Sequence, residues 1–244
     1  MLAILRKKSR AIVMGPGGLG DQIWMSGAVR YIAKQYAETH LLCSLPTLGT
    51  LTTLYSDTPS IKLVVVTTSV DSLREFVRAR YKNIYACAFT KDLYARDVDM
   101  NDLPGVFYDQ LEIPRSVRHS HFVMPSLPES KTMYDLVKSQ LYIFVHTMSS
   151  TNVTNIVSWD INSILTIDPN VNHYASDHPW YQLTQNFVNK PYFYYYDLIK
   201  HASELHLTNS SFYVLASQIS PLDAKVKLCY EREHGTVMPQ YDYR

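Results

Sequence analysis

The sequence has 244 residues, 46% of them hydrophobic and 18% charged, with a formal net charge of +1. That length and apolar content exclude a disordered chain and leave core enough for one large domain or two small ones. The near-neutral balance excludes a long-range electrostatic pull towards nucleic acid or an acidic membrane.

In chain order, Arg10 to Met14 reads as a buried strand. Gln22 to Tyr36 reads as a helix, with Met25, Val29, Ile32, Ala33 and Tyr36 recurring at helical spacing. Strands follow at Thr39 to Ser44, Ile61 to Val66 and Asn83 to Phe89, alternating with helices at Leu48 to Tyr55 and Val70 to Arg80. The segment from Lys91 to Glu129 is irregular, punctuated by Pro104, Pro114, Pro125 and Pro128, with one helix around Gly105 to Leu111. Its basic run, Val117 to Phe122, is expected as a linker strand or as a cleft wall.

A second alternation begins near Lys131. Met133 to Gln140 reads as a helix or a turn, and helical segments are predicted at Trp180 to Val188, Tyr194 to Ser203 and Phe212 to Ile219. Strands are predicted at Leu141 to His146, Ile164 to Ile167, Leu205 to Thr208 and Ala224 to Tyr230. Strands alternating with helices predict parallel sheets covered on both faces. The expected organisation is an N-terminal domain over 1–124, a C-terminal domain over 125–232 and a loose polar tail over 233–244. Cys43, Cys87 and Cys229 each lie in an apolar strand-like segment, as reduced core residues of a cytoplasmic protein do. Met1 to Leu5 is too short for a signal-peptide core. No apolar run reaches transmembrane length.

Four of the eight glycines crowd into Gly15-Pro16-Gly17-Gly18-Leu19-Gly20, between the first strand and the first helix. Glycines there allow a tight turn and a close ligand, and the helix start behind them favours an anion. Asp21 opens that helix, either as its N-cap or as a reactive carboxylate in a cleft. The spacing Gly15-x-Gly17-x-x-Gly20 matches the dinucleotide fingerprint. The acid that the fingerprint wants about 20 residues later is missing at Leu42-Cys43-Ser44-Leu45-Pro46.

Further on, Asn209-Ser210-Ser211-Phe212 follows a strand and opens a helix. Its hydroxyls and backbone N–H groups suit a diphosphate without a metal, although a plain cap has the same composition. His146-Thr147-Met148-Ser149-Ser150 ends the strongest strand and offers an imidazole and hydroxyls. Asp168 to Tyr174 ends another strand, where Asn172, His173 and Tyr174 are candidates for a nucleotide's base or sugar and a simple turn is the competing reading. Asp97-Val98-Asp99 stands in a charged context, as a solvated loop does. Histidines and cysteines show no zinc spacing.

Gly18-Leu19-Gly20-Asp21 before an amphipathic helix resembles the N-terminal motif of the heptosyltransferase-like GT-B glycosyltransferases, of the family 9 type. The segment from Asp197 to Phe212 resembles the donor-side signature of many GT-B enzymes. The resemblance implies two Rossmann-like domains facing across a cleft. It implies a metal-independent, inverting transfer of a sugar from a nucleotide-diphosphate donor to a hydroxyl acceptor, with that nucleotide sugar as co-substrate and no other cofactor. It assigns the catalytic base to Asp21. It assigns donor contacts to Gly18, Gly20, His146, Ser149, Ser150, Asn209, Ser210, Ser211 and Phe212. Two alternatives stand beside it: a non-catalytic nucleotide- or glycan-binding module on the same scaffold, and an oxidoreductase using NAD or FAD.

Overall fold

The computed structural model describes residues 8–66, 70–87, 102–149, 153–154, 161, 163–232 and 236–238. The chain divides into two compact units, Met1–Pro125 and Ser126–Arg244.

In the first unit, strands β1 (Lys8–Met14), β2 (Tyr36–Cys43), β3 (Ile61–Val65) and β4 (Ile84–Ala86) form a sheet in the order β3-β2-β1-β4. Every pairing is parallel, with Ile12 opposite His40 on one side and Ile84 on the other. Parallel neighbours need crossovers. These run through α1 (Leu19–Trp24), α2 (Ser26–Ala33), α3 (Leu48–Leu54) and α4 (Val70–Arg80). On one face Ile12, Met14 and Leu42 form a core cluster with Val77 and Tyr81. Helices α5 (Leu103–Gln110) and α6 (Val117–Ser120) complete the unit, and α2 packs against β2 and α6.

Three sequence expectations change here. The first helix starts at Leu19, breaks at Met25 and ends at Ala33. Tyr36 opens β2 instead of closing that helix, buried with its hydroxyl 3.0 Å from that of Tyr85. The break has local causes. Ser26 Oγ donates to the Ile23 carbonyl at 2.7 Å. The Tyr108 hydroxyl donates to the Trp24 carbonyl at 3.0 Å and accepts the Ala28 N–H at 3.1 Å. A polar group inserted into the i→i−4 ladder is a recognised cause of a break.

The basic run at 117–122 is the third change. It coils into α6, with the His121 N–H donating to the Val117 carbonyl at 3.0 Å and Val117 buried as its anchor. Gly27 admits that helix: a Cβ there lies 2.6 Å from the Val117 carbonyl oxygen and 2.7 Å from that of Arg118. Arg30, 6% exposed, ties α2 to the loops around it. It pairs with Asp57 at 2.8 Å and donates to the carbonyls of Leu54 and Val123.

In the second unit, β5 (Tyr142–His146), β6 (Leu165–Ile167), β7 (Glu204–Thr208) and β8 (Val226–Tyr230) form a parallel sheet in the order β6-β5-β7-β8. Around it lie α7 (Pro128–Asp135), α8 (Tyr181–Gln185), α9 (Tyr196–His201) and α10 (Ser211–Gln218). Strand β5 is buried along its whole length, which is why its sequence runs apolar without alternation. Beyond Glu231 the chain is not wholly loose. Val237 bridges Tyr230 in antiparallel sense and the Met238 N–H donates to the Cys229 carbonyl at 2.8 Å. Strand β8 is the sheet's edge, and its open backbone groups are what this segment satisfies.

The three cysteines are buried free thiols. Among the described residues no helix is long and apolar enough to cross a membrane. Asp97, Asp99 and Ser150 lie outside the described residues.

Candidate functional site

Open α/β sheets bind ligands beyond the carboxyl ends of their strands, where the strand order reverses. In the first unit that point lies between β1 and β4. The chain steps from β1 to β2 and β3 on one side, then returns to β4 on the other. The turn after β1 carries Gly18, Gly20 and Asp21 into this place. Gly18 holds the N-cap position of α1, and Asp21 sits in the first helical turn. A carboxylate there is favoured by the positive end of the helix. The Asp21 side chain curls back over the glycine turn: a Cβ on Gly18 lies 2.8 Å from Asp21 Oδ2. Gly18 is therefore what lets the carboxylate lie there, half-buried.

Cys87, just past β4, stands close enough to feel that charge. Its thiol is pushed up to about 12, by burial first and by the Asp21 carboxylate second. Neighbouring Gln22 is fully buried and donates to the Pro16 carbonyl at 2.7 Å, fixing the turn from behind. Its Oε1 is buried without a hydrogen-bond partner.

In the second unit the strand order reverses between β5 and β7, and the structure brings His146, Ser210 and Phe212 together there. Ser210 is the N-cap of α10, but its side chain makes no cap hydrogen bond. Its Oγ lies 2.9 Å from His146 Nδ1. The hydroxyl is thus turned towards the strand end and away from the helix it precedes. The Phe212 ring is buried, packed on His146 at 4.6 Å between centroids and on Tyr192 at 4.6 Å. It faces the core, so a ligand meets Phe212 only through its backbone. The Tyr192 hydroxyl donates to the Ser211 carbonyl at 2.5 Å.

Ser149 lies just past β5. Its neighbour Met148 bridges Val153, and the Thr154 N–H donates to the Thr147 carbonyl at 2.7 Å. The Thr154 and Thr208 hydroxyls, 2.9 Å apart and both buried, tie Thr154 to the end of β7.

Arg232 is a residue the sequence reading missed. It lies just past β8, exposed, and its Nε donates to the Asn209 carbonyl. The Asn209 N–H in turn donates to the Tyr230 carbonyl at 2.9 Å. A guanidinium therefore stands beside the Asn209-Ser210-Ser211 turn. Only the parallel β7–β8 pairing reveals this, because it sets Thr208 opposite Tyr230.

The loop from Asp168 to Tyr174 is occupied by its own contacts. The Asp168 side chain is fully buried and accepts from Thr147 Oγ1 at 3.1 Å and the Asn170 N–H at 2.8 Å, with His173 Nε2 at 3.0 Å. Asn172 bonds Tyr181, Tyr174 and Thr184. The Tyr174 hydroxyl accepts from the Thr166 N–H at the edge strand β6. These contacts match the turn reading and leave Asn172 and Tyr174 holding the loop together.

His146 is 5% exposed, and burial holds its pKa down to about 4, against the upward pull of Asp168 and Asn170. It is neutral at pH 7 and brings no positive charge. The unfolded chain binds a proton at this imidazole near 6.5, whereas the folded one does so only near 4. Stability from this residue is complete above pH 6.5 and is lost as pH falls through about 4, a loss of about 3 kcal/mol. Melting curves of wild type and His146→Asn between pH 7 and pH 4 check this. The variant is expected to lose less stability over that interval.

No protein-family model and no curated protein matches the sequence. Solved structures do. The dodecameric iron-containing heptosyltransferase TibC, in complex with ADP-D-β-D-heptose, matches with a TM-score of 0.57 and 16% identity over 92% of this chain and 59% of that one. A second structure of TibC is from enterotoxigenic E. coli. The ADP-heptose LPS heptosyltransferase II of E. coli matches with a TM-score of 0.52 and 11% identity, over 90% of this chain and 89% of that one. A glycosyl transferase of family 9 from Veillonella parvula matches with a TM-score of 0.53 and 12% identity, over 94% and 87%.

These likenesses give the chain the GT-B, heptosyltransferase-like fold of the family 9 type. The chain spans 59% of the length of TibC. TibC is described as iron-containing; among the described residues of this chain, no group of three or more His, Cys, Asp or Glu side chains is placed to hold a metal ion.

Proposed function

We propose that this protein is a glycosyltransferase that moves a sugar from a nucleotide-diphosphate donor to a hydroxyl acceptor, with Asp21 as the base. The observation that carries the reading is the place of Asp21. It is a half-buried carboxylate in the first turn of α1, at the strand-order reversal of the first sheet, held over Gly18. A sugar hydroxyl is a poor nucleophile, and a carboxylate within hydrogen-bond reach assists its attack. The acceptor O–H proton passes to Asp21, the oxygen bonds to the anomeric carbon, and the bond to the diphosphate breaks with its electron pair leaving on phosphate. One displacement with one base inverts the anomeric carbon.

The second unit takes the donor. The start of α10, with Ser210 and Ser211, meets the diphosphate through backbone N–H groups, hydroxyls and the positive end of the helix. Ser149 and Asn209 are further donor contacts in this reading, and Gly18 and Gly20 give the turn beside Asp21 its close backbone approach. His146 acts as a neutral hydrogen-bonding group and Arg232 supplies the cation. No step requires a metal. The ADP-D-β-D-heptose held by one similar structure, and the ADP-heptose in the name of another, support this donor class. Three buried free thiols suit a reducing compartment such as the cytoplasm.

A calorimetric panel of ADP-, UDP-, GDP- and CMP-sugars with NAD and FAD, followed by transfer assays on the sugar nucleotide that binds, tests the proposal. Binding and transfer from one of the sugar nucleotides is the expected result. Binding of NAD or FAD alone overturns it, and sugar-nucleotide binding without transfer reduces the protein to a binding module.

A further inference from the structure

We infer that Tyr108 is a positioning residue for Asp21, an inference that rests on the reading of Asp21 as base. In an uninterrupted helix the Ala28 N–H donates to the Trp24 carbonyl, four residues back. Here the Tyr108 hydroxyl stands between them, accepting from Ala28 at 3.1 Å and donating to Trp24 at 3.0 Å. Both bonds of the hydroxyl are spent on the backbone, on the last residue of α1 and in the first turn of α2.

The consequences run back to the turn. Met25, at the break, stays in the right-handed helical region and its N–H donates to the Asp21 carbonyl at 2.9 Å, so the turn carrying Asp21 is tied by its backbone to the point where the Tyr108 hydroxyl inserts. The Met25 side chain fills the space beside Gly15, where a Cβ lies 2.2 Å from its Sδ, and Cys87 Sγ contacts that same sulfur at 3.6 Å. Cys87 is the thiol that senses the Asp21 charge. Gly27 completes the device, since a Cβ there lies 2.8 Å from the Tyr108 hydroxyl. Tyr108 itself is fully buried, and burial raises its pKa well above the tyrosine range, so the hydroxyl keeps its proton and its donor role at every physiological pH.

Without the hydroxyl, the ladder between Ala28 and Trp24 recloses and the Asp21 turn swings with it. A misplacement of about 1 Å at a catalytic group costs on the order of a hundredfold in rate. Tyr108→Phe is therefore expected to lower kcat by roughly ten- to a hundredfold with donor KM within about twofold. Phe107→Leu, on the same helix and equally buried, is the control for loosened packing. It is expected to lower stability and to leave kcat near wild type. Parallel losses of kcat and stability in both variants overturn the inference.

Amide exchange on the wild-type protein is the measurement that needs no variant to fold. Slow exchange at Ala28, matching the core of α2, supports the bridge, and exchange at the rate of a frayed end overturns it. If wild type transfers no sugar, the proposed function falls on its own. The device is then judged by the exchange at Ala28 and by whether the carboxyl resonance of Asp21 shifts in Tyr108→Phe.

Discussion

Asp21→Asn is expected to cut sugar transfer by about 10²- to 10⁴-fold, the span typical of a lost general base. Asparagine keeps the size of the side chain and its place over Gly18, so the turn stays built. What it loses is the ability to take the acceptor's proton. Donor affinity, assigned to the other unit, is expected to stay near wild type. Calorimetry with the donor and steady-state rates with the acceptor, on the same preparation, separate these effects. Near-wild-type transfer by Asp21→Asn removes the base assignment, and an equal fall in donor affinity makes Asp21 a binding group instead.

Arg232→Gln is expected to raise the donor dissociation constant by roughly ten- to a hundredfold, because a hydrogen bond to a charged partner contributes about 1.5–3 kcal/mol. The guanidinium is exposed, and its Nε is anchored on the Asn209 carbonyl. Its remaining N–H groups are the ones proposed to meet the diphosphate. Added salt is expected to weaken wild-type binding more than binding by the variant, since only the wild type carries this exposed charge. Titrations at two salt concentrations check both points. An unchanged dissociation constant at low salt shows that the donor does not meet Arg232.

The sheets were legible in the sequence because their strands are apolar runs closed by turns. Tyr142 to His146 is buried on every residue, and its sequence shows no alternation. The break at Met25 was not legible. Its cause is a hydroxyl from Tyr108, far away in sequence, and hydrophobic spacing carries no record of a polar insertion. Tyr36 keeps helical spacing with Ile32 and Ala33, yet it pairs in β2, opposite Lys8. The helix at Val117 to Ser120 was not legible because it has a single apolar anchor, Val117, and its backbone approach to α2 depends on Gly27, where a side chain would meet the Val117 and Arg118 carbonyl oxygens.

At the site, the sequence exposes Asp21, His146 and Ser210 because each closes or follows a recognisable strand. That His146 and Ser210 touch follows only from the pairing of β5 with β7. Arg232 was hidden for the same reason, since its neighbour Asn209 is brought to it by the register of β7 and β8.

The all-parallel register also dictates an order of assembly. Strand β1 leads the first unit and takes β4 as a neighbour, joining Ile12 to Ile84. That edge of β1 stays vacant on the ribosome until nearly the whole unit has been synthesised. In the second unit the partnership of Ile143 with Glu204 imposes a similar wait. Loop closure of this length slows folding relative to hairpin-built sheets. Each nascent half thus passes through a period with a hydrophobic strand uncovered on one side, when a chaperone has most to contribute.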